Sequence, residues 1–371
     1  MMPIFMDRHE APGLTAAEAA EGHKEDVKVQ HKYGCHAFTY WFDAEQGNGF
    51  CLIDAPNKES VIKMHDEAHG GVPNQIIEVD INLVEAFLGR IKDPDAKDEN
   101  ELLKLIGPAF RVIMVTEFKD TALMKSKLGS TKSIELLGIH SEWIEKSIEQ
   151  FEGRQVEHFG NSIIASFVTA CKSLECALEI QKHFRELKQQ GPCLQMDVAT
   201  GLSAGNPVTD TDVFFGDAVP SAKRLAYIAG KNQVVMSSAV RDQYNQESLE
   251  TLSEKGTVKA LNPQEEKLLN RLMDIAAKIW NQQRFKVDDF GKQIGISKSQ
   301  LYRHTISLTG YSPSEFLKEY KLNKALELIE RQKDNITQIA LETGFNNPSY
   351  FSKCFYQRFG ILPRDFAQSI A

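Results

Sequence analysis

Two stretches about fifty residues apart carry one pattern, and this repetition restricts the C-terminal third of the chain more tightly than any other feature. The first is Val287-Asp-Asp-Phe-Gly-Lys-Gln-Ile-Gly295, followed by Ser297-Lys-Ser-Gln-Leu-Tyr-Arg303. The second is Ile336-Thr-Gln-Ile-Ala-Leu-Glu-Thr-Gly344, followed by Phe345-Asn-Asn-Pro-Ser-Tyr-Phe-Ser-Lys353. Each predicts a short helix with a small residue on its packed face (Gly291, Ala340), a glycine at the turn and a second helix. The small residue and the glycine let two helices cross closely at a steep angle. That is the steric requirement of a helix-turn-helix, and it frees the polar face of the second helix to enter a major groove. Between the two units, residues 314–333 read as one amphipathic helix, with Phe316, Leu317, Tyr320, Ala325, Leu328 and Ile329 at helical spacing. At ~1.5 Å per residue it spans roughly 30 Å, near the ~34 Å between successive major grooves on one face of a duplex. Asn262 as cap, Pro263 and Glu265 specify the start of a preceding helix, so residues 262–371 are expected to be all-helical.

The charge distribution points the same way. The net charge of -8 conceals a surplus of +4 over residues 261–371 against -12 elsewhere, as for a nucleic-acid module tethered to an acidic body. A chain of 371 residues exceeds one ordinary core and predicts two or three domains at ~100–200 residues each. Its 42% hydrophobic and 25% charged residues exclude wholesale disorder. No apolar stretch reaches the ~18 residues of a bilayer span, and the first residues lack the pattern of a signal peptide. Six cysteines without a CxxC pair fit reduced thiols. A cytoplasmic protein without membrane association is expected.

Residues 1–80 alternate as strand 3–8, a helix from the Thr15-Ala-Ala-Glu18 capping box to about 33, strands 36–42 and 50–53, a helix from 57 to Gly70, and strand 75–79. This is βαββαβ, a ferredoxin-like α+β unit. Residues 81–109, with one short apolar helix and a polar run at 92–100, are read as a linker that adds little to any core. Residues 110–245 form a second α+β unit, with strands at 111–118, 154–159, 162–168, 196–202 and 233–236 and helices at 133–151 and 172–188. Gly160-Asn161 marks a hairpin turn between the second and third of these strands.

The runs Ser297-Lys-Ser-Gln-Leu-Tyr-Arg303, Thr309-Gly-Tyr-Ser-Pro313, Ile339-Ala-Leu-Glu-Thr-Gly-Phe345, Ser349-Tyr-Phe-Ser-Lys-Cys-Phe355 and Phe359-Gly-Ile-Leu-Pro363 resemble the AraC/XylS-type DNA-binding domain. The resemblance implies a transcription regulator that binds double-stranded operator DNA, acts as a homodimer and has RNA polymerase as a further partner. It places base contacts on Ser299, Gln300, Tyr302 and Arg303 in the first unit and on Pro348, Ser349, Ser352 and Lys353 in the second. Arg303 can donate two parallel hydrogen bonds to guanine. Pro348 cannot donate and Lys353 is a point charge, so a more loosely read second half-site is expected. Leu301, Phe351 and Phe355 are expected in the core.

In the middle unit, Val112-Ile-Met-Val-Thr-Glu-Phe-Lys-Asp-Thr121, Gly153-Arg-Gln-Val-Glu-His-Phe-Gly-Asn161, Gly201-Leu-Ser-Ala-Gly205 and Phe215-Gly-Asp-Ala-Val-Pro-Ser-Ala-Lys-Arg224 resemble a class III nucleotidyl cyclase domain. Such enzymes hold two metal ions with two aspartates. The resemblance sets these at Thr116 and Asn161, the adenine-selecting lysine at Glu157 and the transition-state asparagine at Pro220, so all four are replaced. Arg224 alone keeps its position, that of a phosphate-stabilising, cofactor-binding arginine. A non-catalytic sensory or dimerising unit is implied, with a cyclase of atypical metal ligands as the alternative.

Six of the ten histidines fall in the first 70 residues: His9, His23, His31, His36, His65 and His69. His65 and His69 share one helix face at i, i+4 and can chelate a borderline metal. His65-Asp-Glu-Ala-His69 differs from HExxH in carrying Asp66 for the catalytic glutamate. With Met6-Asp-Arg-His-Glu10, Tyr40-Trp-Phe42 and Cys51-Leu-Ile-Asp-Ala-Pro56, the unit resembles a family of small bacterial proteins of which one branch binds nickel. A divalent transition metal is therefore the one cofactor expected, with His9, His65 and His69 as its ligands, and a metal-binding sensor is a further alternative function.

Overall fold

The computed structural model describes residues 2–95, 101, 106–190, 196–247, 257–282, 287–331 and 335–370. The first unit comprises β1 (Ile4–Glu10), α1 (Ala16–Val29), β2 (His36–Asp43), β3 (Asn48–Asp54), α2 (Lys58–His69) and β4 (Gln75–Glu78). The strands form one antiparallel sheet in the order β2-β3-β1-β4, the expected ferredoxin-like arrangement. Thr15 and Glu18 cap α1 reciprocally, and Asn57 caps α2. Strand alternation divides β1 between two environments. Phe5 packs with Ile53, Val61 and Met64 under the helices, whereas Met6 packs with Trp41, Phe50, Leu52 and Ile77 on the other face.

That second face is covered by the rest of the chain. α3 (Ile81–Leu88) inserts Val84, Phe87 and Leu88 between it and the second sheet, in a core shared with Ala109, Ile113, Val115, Ile164, Ala222 and Ala226. The segment 81–109 is thus no passive linker. Its apolar helix is a wedge between sheets, and most of the polar run that suggested otherwise lies outside the described residues. The buried Arg111 closes α3, donating to the carbonyls of Phe87 (3.3 Å), Leu88 (3.2 Å) and Pro108 (2.8 Å).

The second sheet contains β5 (Arg111–Lys119), β6 (Arg154–Phe159), β7 (Ser162–Phe167), β8 (Asp197–Gly205), β9 (Gln233–Met236) and β10 (Val258–Ala260) in the order β10-β9-β8-β5-β7-β6. It is antiparallel from β6 to β8 and parallel from β8 to β10. Around it lie α4 (Thr121–Leu128), α5 (Ser130–Gln150), α6 (Ala170–Gln190), α7 (Ala218–Ile228) and α8 (Ser238–Glu247). The helix expected from residue 133 begins at Ser130, after a break at Gly129 (φ +79°). α4 was not legible, because it carries no apolar stripe and buries only Ala122.

The third unit is helical: α9 (Pro263–Ile279), α10 (Val287–Ile294), α11 (Lys298–Thr309), α12 (Pro313–Glu330), α13 (Ile336–Glu342), α14 (Pro348–Phe359) and α15 (Pro363–Ile370). Far from hanging on a tether, it shares a core with the second sheet. Ala199, Leu225, Ala229 and Val235 pack with Leu261, Leu272, Ile275, Leu301, Leu308 and Phe316. α7 is the wall between the two. It lies so close to β8 that a Cβ at Gly201 would be driven into the Ala222 carbonyl oxygen and the Ala226 amide nitrogen. Gly201→Ala should therefore cost about 3 kcal/mol of stability in urea denaturation, the upper range for overpacking a core.

Candidate nucleic-acid interface and candidate metal centre

The two helical repeats have the same backbone construction. Ile296 N–H donates to Gly291 O at 3.1 Å, and Phe345 N–H donates to Ala340 O at 2.9 Å. Between them the chain turns at Gly295 (φ +79°) and Gly344 (φ +74°), a conformation that favours glycine. A Cβ on Gly291 would sit 3.1 Å from Ile296 O, and Ala340 is fully buried, so both positions admit only small residues. Cations from neighbouring helices hold the first helix of each pair at its end. Arg271 Nη1 reaches Ile294 O at 3.1 Å, and Lys321 Nζ reaches Gly344 O at 3.1 Å and Gln282 O at 3.0 Å.

Of the eight residues expected to contact DNA, Ser299, Arg303, Ser349 and Lys353 are exposed on α11 and α14, with the Ser299 hydroxyl 3.3 Å from that of Ser297. Tyr302 is half-buried. Gln300 is exposed but occupied: its Oε1 accepts from Ser297 N–H (3.0 Å) and Oγ–H (2.9 Å), completing a capping box at the start of α11. Pro348 opens α14, where its missing N–H costs nothing. Ser352 turns its hydroxyl back onto Pro348 O at 3.0 Å. Leu301, Phe351 and Phe355 are buried, as expected. Sequence reasoning missed Tyr350 and Tyr356, each 54% exposed, on the same outward face as Ser349 and Lys353. Their signal was spacing, since they flank Lys353 by three residues on either side.

In the first unit, the alternation of β1 sends Asp7 and His9 to the helix side of the sheet, where α1 and α2 bring Asp26, His65 and His69. His65 is fully buried between two carboxylates. Its Nε2 lies 2.8 Å from Asp7 Oδ2 and its Nδ1 lies 2.9 Å from Asp26 Oδ1. His69 Nε2 is 3.3 Å from His65 Nδ1, and the His9 and His65 rings are 4.8 Å apart. Burial alone would lower the His65 pKa, but the facing carboxylates outweigh it and raise it to about 10. Burial would likewise raise Asp7 and Asp26, yet the imidazoles facing them hold both below the ordinary carboxylate value. Burial, followed by the Asp7 and Asp26 charges, pushes the Cys51 thiol well above its ordinary pKa.

Two groups of donor atoms lie within 4.8 Å of one another here: Asp7, His9, Cys51 and His65, and Asp26, His65 and His69. His65 belongs to both groups, whereas His9 falls in one with Asp7 and Cys51 and His69 in the other with Asp26, so the three expected histidines are neighbours but do not form one donor set. His9 Nε2 is buried and makes no hydrogen bond, with Asp7 Oδ1 3.5 Å away. A mixed imidazole, thiol and carboxylate set suits a borderline divalent metal such as nickel or zinc. His23, by contrast, pairs with Asp93 at 3.1 Å.

Three of the five positions that the cyclase resemblance assigns make structural contacts. Thr116 is buried, with its hydroxyl 3.3 Å from that of Thr200. Asn161 Nδ2 donates to Phe118 O at 3.0 Å. Glu157 and Pro220 are exposed. Arg224 is held by α9, donating to Asn270 Oδ1 at 2.7 Å and to Asp274 Oδ1 at 2.5 Å. Two partners from the helical unit thus engage both Nη atoms of its guanidinium.

Residues 290–369 match the family model described as "Helix-turn-helix domain". This segment is a helix-turn-helix domain. Residues 5–79 match the family "Nickel responsive protein SCO4226-like". A stretch of 102 residues, 28% of this chain, is 34% identical to "Histidine kinase P4" of Formosa agariphila and spans 7% of that protein. A stretch of 78 residues, 21% of the chain, is 31% identical to "HTH-type transcriptional activator RhaS" of Mannheimia succiniciproducens and spans 29% of it. The chain thus spans less than a third of the curated relatives it matches. Among solved structures, an adenylate/guanylate cyclase/hydrolase from Silicibacter pomeroyi aligns with 38% of this chain and 83% of its own, at 26% identity and a TM-score of 0.34. Among the described residues, no helix is long and apolar enough to cross a membrane.

The helix-turn-helix domain and the histidine centre lie at opposite ends of the chain. The folded pKa of His65 lies above the ~6.5 of a free imidazole. Its contribution to stability is therefore complete below pH ~6.5 and is lost as the pH rises through about 10. Chelator-treated protein should melt at a lower temperature at pH ~10 than at pH ~6.5. Circular-dichroism melts of His65→Asn should show a smaller difference between those pH values.

Proposed function

We propose that this chain is a DNA-binding transcription regulator that recognises an operator sequence through its C-terminal helix-turn-helix pair. The observation that carries this reading is the pair of equivalently built reading helices, α11 and α14, on either side of α12, each with a basic residue on its outward face. Arg303 reads a guanine, whereas Lys353, Tyr350 and Tyr356 suit phosphate more than base contact, so the second half-site is read more loosely. Ser299 and Ser349 add polar contacts, with Tyr302 at the groove edge; Gln300, Pro348 and Ser352 support helix starts.

The chain is read as three units, at residues 1–80, 110–245 and 262–371, acting in the cytoplasm as a homodimer with operator DNA and RNA polymerase as partners. The middle unit assembles or senses and performs no chemistry. The hydrogen bonding of Thr116, Asn161 and Arg224 supports this. The first unit senses a divalent transition metal. Asp7, His9, Cys51 and His65 would hold it, and Asp26 and His69 would orient His65. The metal would supply a positive charge that only deprotonated ligands accept, so its binding would displace protons from the cluster in which His65 bridges Asp7 and Asp26.

Selection of the full-length protein against random oligonucleotides tests the regulator reading. A defined motif is expected, and absence of any preference refutes it. Arg303→Ala should cost ~1–3 kcal/mol at one base position. A uniform loss across sequences would assign that side chain to phosphate instead. For the metal, calorimetric nickel titration of His65→Ala/His69→Ala should show affinity lowered by at least ~10-fold. An unchanged isotherm would remove the sensing role from this centre.

A further inference from the structure

The first reading helix is gripped from outside the helix-turn-helix domain. α11 ends at Gly310, whose N–H takes Ile306 O at 2.8 Å. The next two amides leave the helical ladder: Tyr311 N–H donates to Thr309 Oγ1 at 3.1 Å and Ser312 N–H to Glu315 Oε2 at 3.0 Å. The carbonyls of Ser307 and Leu308 are thereby released, and one cation takes both. Lys259 Nζ donates to Ser307 O at 2.7 Å and to Leu308 O at 3.2 Å.

Lys259 belongs to β10, the outermost strand of the six-stranded sheet, where it pairs with Val235 of β9. Two residues on, the fully buried Leu261 donates its N–H to Met236 O at 2.9 Å. The lysine backbone is thus fixed by the sheet and its ammonium by the negative end of a helix, the favourable pole for a cation. Arg303 lies four residues before Ser307, about 6 Å along the helix axis. A tilt of α11 about its gripped end moves the Arg303 guanidinium relative to a base edge. Direct readout by two parallel hydrogen bonds is sensitive to such a shift.

We propose that Lys259 is a positioning residue for sequence reading: the six-stranded sheet sets, through the ammonium on its edge strand β10, the depth and tilt at which α11 presents Arg303. The inference rests on the DNA-reading function proposed above and adds that selectivity at one half-site is controlled from the sheet.

The test uses the full-length chain with Lys259→Met, which keeps the apolar stem and removes the donors, and Lys259→Arg, which restores them. Lys259→Gln serves as a second truncation. Each is run through random-oligonucleotide selection, a salt titration of binding and a thermal melt. The truncations are expected to relax preference by roughly 5-fold or more at the positions that Arg303→Ala also relaxes. Preference at the other half-site and the salt slope should stay at wild-type values, and Lys259→Arg should restore selectivity. Unchanged preference in either truncation overturns the proposal. So does a loss spread evenly over all positions with a shallower salt slope, which would make Lys259 a phosphate contact. Loss of selectivity only in step with a lowered melting temperature, not rescued by arginine, overturns it as well. A wild-type protein that selects no sequence overturns this proposal together with the DNA-reading function, whereas a wild-type motif retained by the truncations overturns this proposal alone.

Discussion

The contact between α7 and β8 at Gly201 is the constraint on which the assembly rests. With no side chain at that position, the helix backbone sits directly on the sheet. Ala222 and Ala226 then face the core shared with the first unit, while Leu225 and Ala229 face the core shared with the helical unit. One helix of 11 residues is therefore a wall of two hydrophobic interiors. Interiors packed to crystal density do not deform gradually. A shift of α7 on one side must be matched by repacking on the other. Polar contacts follow the same surface: Arg224 to Asn270 and Asp274, the Tyr227 hydroxyl to Asn323 (3.2 Å), and Arg358 to Asp120 (3.2 Å).

What the sequence made legible was local. Gly295 and Gly344, the small residues Gly291 and Ala340, and the caps at Thr15, Asn57 and Asn262 act within one turn of their own positions, so their effects appear in a short window of residues. What escaped was long-range. Asp26 meets His65 across 39 residues and Asp7 meets it across 58, and no spacing rule links them. A hint existed for Asp7, because strand alternation sets it on the same side as His9. The contacts of Arg224 with the helical unit escaped for a similar reason, since its partners lie 46 and 50 residues further on. Gln300 is the converse case: an outward residue expected to contact DNA also closes a capping box, through its Oε1, with Ser297 three residues before it.

A second theme is the use of cations where no acid is at hand. Arg111, Arg271 and Lys321 all donate to main-chain carbonyls at helix ends or turns. Such carbonyls lack helical partners and carry partial negative charge, so one ammonium or guanidinium satisfies several at once. For Lys321, burial keeps the pKa below its ordinary value, and hydrogen bonds from Nζ to Gly344 O and Gln282 O bind the turn of the second pair to the segment that follows α9. The end of the first helix in one pair and the turn in the other are thereby held by side chains outside the pair.

The wedge α3 has a consequence for how the molecule can be divided. Cut after residue 80, the first sheet would keep its strands and helices yet lay bare Trp41, Phe50, Leu52 and Ile77, which now lie in the interior. An apolar surface of that kind does not stay solitary in water. The excised piece would need a twin to shield it, whereas in the intact chain its own following segment does that work. There a covalently linked neighbour covers that face.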